Sequence, residues 1–255
     1  MVYEAELAAA KEIALKAGTI MLQYFDGDQQ TEIKDDNTPV TIADKLINDM
    51  AIAELSKTFP NDGIIGEEKS TAEYGMGRKW FCDPIDGTKA YVWGVPTAMF
   101  SLALVIDGRP VLGVAYDPFL KKLYEAVVGG GSYCNGVKLA VSQLDLTGST
   151  VAVTSTAEKM RTLSYIPKLT NAGAKLASFS GALYKGTLVA RGKFSAYLEG
   201  GVNAHDMAGL EIIVTEAGGK VTSMQGEQFD YSKPFKGAVV SNGVVHDQLL
   251  TIVNN

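Results

Sequence analysis

From Lys79 to Val128 the chain is punctuated too often to form helices. Apolar, β-forming runs at Trp80-Phe81-Cys82, Met99 to Ile106, Val111 to Tyr116 and Lys122 to Val127 alternate with short turn segments, among them Asp107-Gly108. Strands this closely spaced pair with their sequence neighbours, so the expected structure is an antiparallel meander. The segments on its N-terminal side read differently. Residues 3–25 place Ile13, Ala17, Ile20, Met21 and Tyr24 on one helical face. A polar loop from Gly27 to Thr38 follows. A second helix is expected from near Thr41, burying Leu46, Met50 and Ala53 and ending before the turn signal Pro60-Asn61-Asp62-Gly63, after which Ile64-Ile65 reads as a strand.

After about residue 150 the pattern alternates. Strands are expected at 151–153, 194–199, near Val221 and near Val239, with helices around Met160, at 181–191, at 206–217 and from Val244. An α+β first half and an α/β second half suggest two layered sub-domains, residues 1–145 and 146–255, with a cleft between them.

Composition narrows the chemistry. The chain is 46% hydrophobic and 20% charged, ordinary for a globular protein with a sizeable core. No apolar run approaches the roughly 18 to 20 residues that cross a bilayer, and the first helix is acidic and amphipathic rather than a signal peptide, so no membrane role and a cytoplasmic location are expected. Cys82 and Cys134 are far apart, which suggests neither a disulfide framework nor a zinc site. A net charge of -6 without a Lys/Arg block argues against nucleic acid as the main partner. With only His205 and His246 available, carboxylates are the expected carriers of any catalysis.

Acidic residues stand where the expected elements end: Glu67-Glu68 after Ile64-Ile65, Asp83 and Asp86 after the Trp80 run, and Asp206 at a helix start. Carboxylates converging on one cleft repel each other and resist ionisation unless a cation neutralises them. Oxygen ligands without histidine or cysteine favour Mg²⁺, with Mn²⁺ as a substitute. In Asp83-Pro84-Ile85-Asp86-Gly87-Thr88, Pro84 fixes the turn and Gly87 lets backbone approach a ligand. A helix starting there would offer free N–H groups to a phosphate oxyanion.

Trp80-x-x-Asp83-Pro84-Ile85-Asp86-Gly87-Thr88, with Gly66-Glu67-Glu68 upstream and Asp206-x-Ala208-Gly209 running to Glu216-Ala217-Gly218-Gly219 downstream, resembles the signatures of the inositol monophosphatase family, in family order and across nearly the whole chain. The resemblance implies a layered αβαβα sugar-phosphatase fold. It also implies a Mg²⁺-dependent, lithium-sensitive phosphomonoesterase acting on a small phosphorylated polyol or sugar, with inositol monophosphate the first expectation, and a homodimer. By the same resemblance, one metal takes Glu67, Asp83 and the Ile85 carbonyl, a second takes Asp83, Asp86 and Asp206, and a weaker third leans on Glu67. Thr88 and Asp44 orient the attacking water, and Gly87 and Thr88 N–H groups hold the phosphate. Glu199 and the Ser180-Gly181-Ala182 segment border the polyol.

This sequence departs from the family pattern at His205, Tyr91 and Lys69, and Lys185 is a further pocket candidate, so histidinol phosphate or fructose 1,6-bisphosphate are alternative substrates. Each site residue also has a structural reading. Thr41-x-x-Asp44 is a capping box, Asp206 a helix cap, Glu68 a solvated neighbour, Glu199 a surface residue, Cys82 an inert core thiol, and Trp80, Tyr91 and Trp93 packing residues. A regulatory protein retaining the fold, and a metal-free glycosidase using a carboxylate pair, are the alternatives from other classes.

Overall fold

The computed structural model describes residues 2–35, 37–154 and 156–255. Helix α1 (Glu4–Phe25) is followed by a short antiparallel pair, β1 (Glu32–Ile33) and β2 (Pro39–Val40), then helix α2 (Ile42–Thr58). A seven-stranded sheet comes next: β3 (Gly63–Gly66), β4 (Arg78–Asp86), β5 (Met99–Ile106), β6 (Arg109–Asp117), β7 (Lys122–Val127), β8 (Gly131–Cys134) and β9 (Val137–Lys138), in that spatial order, with the one-turn helix α3 (Thr88–Val92) between β4 and β5. The meander is present from β4 onward, but β3 lies parallel to β4, joined to it through residues 67–77. The two-residue strands β1 and β2 fall inside the segment read as loop, because strands of two residues carry no periodicity to detect.

In the second half, β10 (Thr150–Val153) leads through α4 (Ala157–Thr162) and α5 (Tyr165–Asn171) to β11 (Lys175–Ser178), and then α6 (Ala182–Ala190), β12 (Ala196–Glu199), α7 (Ala204–Glu216), β13 (Lys220–Thr222), β14 (Ala238–Ser241) and α8 (His246–Asn254) follow. The sheet order is β11-β10-β12-β14-β13, parallel across its first three strands and antiparallel at β14 and β13. Helix α5 and strand β11 have no counterpart in the sequence reading.

The layers follow from alternation along the strands. On β4 and β5, Trp80, Cys82, Leu102 and Leu104 face α1 and α2, whereas Phe81, Ala103 and Val105 face α6 and α7. On the second sheet, Ala152, Tyr197 and Val240 point to that same helical layer, and Val151, Val153, Ala196 and Leu198 point outward to α5 and α8. The result is the αβαβα stack. Helix α7, covered on both sides, is apolar nearly all round, burying Met207, Ala208, Leu210, Ile212, Ile213 and Val214. Each such large side chain contributes about 1.5 to 3 kcal/mol on burial. A Cβ on Gly209 would lie 2.5 Å from Ser101 Oγ, so only glycine lets α7 lie this close to β5, which brings Asp206 to the end of β4.

Helix α2 corrects one expectation. Leu46 is 39% exposed and Ala53 is also exposed, while Ala43, Ile47, Ala51 and Leu55 are buried, so the inward stripe is shifted by one position. That face also carries the polar Asp44 and Asn48, both buried, which disguises it in a hydrophobicity pattern. No helix among the described residues is long and apolar enough to cross a membrane.

Candidate active site

Two carboxylates three residues apart on a regular strand point to opposite faces. On β4 the pairing register with β5 shifts between Asp83 and Asp86: Asp83 lies opposite Ser101 and Asp86 opposite Met99, so three steps on one strand match two on the other. This bulge turns both side chains to the same side. Pro84 suits it, having no N–H to contribute to the ladder. Asp83, Asp86 and Asp206, the last in the first turn of α7, offer carboxylate oxygens within 4.8 Å of one another.

Different backbone groups hold each acid. Asp86 accepts from the Ala182 N–H at 2.9 Å and the Leu183 N–H at 2.8 Å, the free donors at the start of α6. Gly181, at φ 97°, makes this turn possible, since a Cβ there would lie 2.7 Å from the Thr97 carbonyl oxygen. Asp206 accepts from the Asn203 N–H at 2.6 Å. Asp83, 1% exposed, has an Oδ1 with no hydrogen-bond partner.

Burial pushes the Asp83 carboxyl well up from its ordinary value, with Glu67 and Asp86 adding repulsion. Burial and then Asp206 push Asp86 up to about 7. Burial also raises Asp206, His205 opposing it. An orphaned oxygen among mutually repelling carboxylates, with no thiolate or imidazole in the cluster, fits a hard divalent cation such as Mg²⁺.

The predicted Thr41–Asp44 capping box is present: Asp44 Oδ2 accepts from the Thr41 N–H at 2.8 Å and from Thr41 Oγ1 at 2.6 Å. Asp44 also reaches beyond it. Thr88 Oγ1 stands 3.3 Å from Asp44 Oδ1 and 2.9 Å from the Ile85 carbonyl oxygen, so its single proton has two acceptors. Burial is the main reason the Asp44 carboxyl is pushed up to about 7. Gly87, the N-cap of α3, is left-handed at φ 86°.

A cleft of about 800 Å³ is lined by Glu67, Asp86, Gly87, Thr88 and Asp206, with Gly181, Ala182, Lys185, Tyr197 and Glu199 among its further lining. Glu199 ends β12 and is partly buried. Its Oε2 lies 3.5 Å from Lys185 Nζ. Glu67 stands outside the tight trio, its Oε1 3.0 Å from Lys34 Nζ. Lys34 also binds Glu68 at 2.5 Å, so Glu68 is an ion-pair partner rather than a solvated neighbour. Nothing in the sequence singled out Lys34, which belongs to a polar stretch with no motif.

The flanking aromatics divide. Trp80 is fully buried with its indole N–H on Asp62, and Tyr91 is buried with its hydroxyl donating to the Met21 carbonyl at 2.6 Å, both as packing residues. Trp93 is 65% exposed on the cleft rim with Lys89 over its ring, contrary to the packing expectation. Cys82 is buried, and burial raises its thiol well above the usual range, as an inert core thiol requires.

The family model described as "Inositol monophosphatase family" matches residues 3–255. The chain belongs to the inositol monophosphatase family. It is 34% identical over 254 residues to a histidinol-phosphatase of Chlorobaculum parvum, covering 98% of this chain and 97% of that relative. It is 33% identical over 223 residues to a fructose-1,6-bisphosphatase/inositol-1-monophosphatase of Thermotoga maritima, covering 84% and 82%. A solved IMPase structure from Thermotoga maritima superposes with a TM-score of 0.89 at 28% identity over 98% of this chain and 97% of that one. These relatives are phosphatases, and the chain is a phosphoric monoester hydrolase of a Mg²⁺-dependent family with its αβαβα fold.

Proposed function

We propose that the protein hydrolyses the phosphate monoester of a small polyol, with inositol monophosphate as the preferred substrate. The observation that carries the metal-assisted hydrolysis is the unpartnered Asp83 Oδ1, buried in a cluster with Asp86 and Asp206. Asp83, Asp86, Asp206, Glu67 and the Ile85 carbonyl would hold Mg²⁺, which when bound supplies Lewis acidity and lowers the pKa of water.

The chain's own groups do the rest. Thr88 Oγ1, 3.3 Å from Asp44 Oδ1, would relay a proton from the attacking water to Asp44, whose pKa, raised to about 7, suits a general base. Gly87 and Thr88 N–H groups seat the phosphate oxygens, and Ala182 and Leu183 fix Asp86 so that no reorganisation is needed. Residues 1–145 supply all of these groups except Asp206 and the α6 turn. Residues 146–255 supply those two and Glu199, which accepts from a substrate hydroxyl while Gly181 and Ala182 form the adjoining wall.

Near full-length similarity to histidinol-phosphatases favours histidinol phosphate as the second reading. Phosphate release from myo-inositol 1-phosphate, histidinol phosphate and fructose 1,6-bisphosphate, with Mg²⁺ and with EDTA, separates the readings. Fastest Mg²⁺-dependent release from the inositol ester is expected, with inhibition by millimolar lithium. A rate untouched by EDTA contradicts the metal site.

A further inference from the structure

Lys185 occupies a place that the hydrolytic chemistry does not require. It lies in the first turn of α6, the turn whose N–H groups at Ala182 and Leu183 hold Asp86, and its side chain is only 2% exposed. An ammonium has three donors. Here Nζ finds the Val153 carbonyl oxygen at 3.4 Å and Glu199 Oε2 at 3.5 Å, both at the long limit of hydrogen bonding, with the Tyr197 ring centroid 4.5 Å away. A buried cation held this loosely retains donor capacity, and Lys185 and Glu199 both line the cleft that Asp86 and Thr88 border.

We propose that Lys185 is a specificity-determining residue: with Glu199 it forms a donor–acceptor pair that takes one hydroxyl of the substrate and rejects both a cationic and an anionic group at that position. The inference rests on the polyol-phosphatase reading above and decides between its two substrates.

The chemistry is a matching of partners. As an ion pair, Lys185 and Glu199 compensate each other's buried charge. A hydroxyl donates to Glu199 and accepts from Lys185, so it satisfies both without disturbing that balance. A substrate ammonium, as in histidinol phosphate, meets Lys185 as a like charge. A second phosphate, as in fructose 1,6-bisphosphate, meets Glu199 in the same way. Either charged group pairs with one member and leaves the other buried without its partner, whereas the hydroxyl leaves the pair intact. Burial draws the Lys185 pKa below the ordinary lysine value while Glu199 and then Asp86 oppose that pull, in keeping with a cation that depends on its carboxylate neighbours.

The test is kcat/KM of the full chain with Mg²⁺ on four substrates: myo-inositol 1-phosphate, histidinol phosphate, fructose 1,6-bisphosphate and, as a probe without hydroxyls on its ring, p-nitrophenyl phosphate. Wild type, Lys185→Met and Lys185→Gln are compared, with thermal melting to verify folding. The wild type is expected to prefer the inositol ester. Lys185→Met should lose roughly tenfold or more on that ester relative to p-nitrophenyl phosphate, mainly through KM, because a buried Glu199 loses its partner and the hydroxyl its donor. Lys185→Gln, which keeps a donor without the charge, should retain more of the inositol activity than Lys185→Met and lose the rejection of histidinol phosphate. Equal losses on all four substrates by folded variants, or a wild type that prefers histidinol phosphate, overturn the inference and leave the hydrolase class intact. A folded wild type that turns over none of the four overturns the underlying function and this inference with it.

Discussion

Asp83, Asp86 and Asp206 form one end of the site, with carboxylate oxygens within 4.8 Å, and Glu199 with Lys185, 3.5 Å apart, forms the other. The first end is held by backbone, through the N–H groups of Ala182, Leu183 and Asn203, yet its charges repel and Asp83 Oδ1 has no partner. The second end is balanced within the protein. An uncompensated cluster costs stability and is retained for what binds it, whereas a compensated pair can sort substrates by charge without needing a cation. In the proposed reading catalysis and specificity rest on opposite electrostatic designs, linked through the first turn of α6, which holds Asp86 by its N–H groups and carries Lys185.

The largest effects should come from the acidic end. Asp206→Asn is expected to lower kcat by roughly a thousandfold or more with Mg²⁺ present, since it removes a charge needed to hold the metal; steady-state kinetics at saturating substrate checks this. Thr88→Ala should cost roughly a hundredfold or more in kcat with little change in KM, as expected of a group acting on the water rather than on binding.

Glu199→Gln sharpens the comparison from the other end. It should shift the ratio of inositol 1-phosphate to p-nitrophenyl phosphate turnover by roughly tenfold or more while sparing Mg²⁺ affinity measured by calorimetry. If Glu199→Gln weakened Mg²⁺ binding as strongly as Asp206→Asn, the two ends would not be separate designs.

The smallest effect lies outside both. His246 is fully buried, with Nδ1 2.8 Å from Ser241 Oγ and Nε2 3.0 Å from Thr222 Oγ1, and burial, followed by Lys220, lowers its pKa to about 4. Its folded pKa lies below the unfolded value of 6.5, so the unfolded chain binds the extra proton. The stability it contributes is present above pH 6.5 and lost as pH falls through about 4. Urea midpoints measured across that range should fall with pH in the wild type and fall less in His246→Gln.

The acidic end was legible because most of it is contiguous. Asp83, Asp86, Gly87 and Thr88 lie in one six-residue motif, and the apolar β-forming run Trp80-Phe81-Cys82 announced the strand beneath them. What the motif did not reveal is the bulge between Asp83 and Asp86 that puts both on one side, because register depends on the partner strand. The Lys185–Glu199 end is assembled from Val153, Lys185, Tyr197 and Glu199 on three different elements, so its donor–acceptor character emerges only after folding. The α2 stripe was displaced for a related reason: Asp44 and Asn48 are buried polar residues on the inward face, and hydrophobicity alone assigns them outward.

Asp83→Asn tests the central claim most directly, through phosphate release from inositol 1-phosphate with Mg²⁺ and thermal melting in EDTA. Turnover should collapse. The metal-free melting temperature should rise by about 2 to 4 °C for each kcal/mol of repulsion relieved, because a raised carboxylate pKa in the folded state opposes folding at neutral pH. Near-normal turnover, or a melting temperature lowered in EDTA, would contradict the account of Asp83 as a buried charge kept for a metal ion.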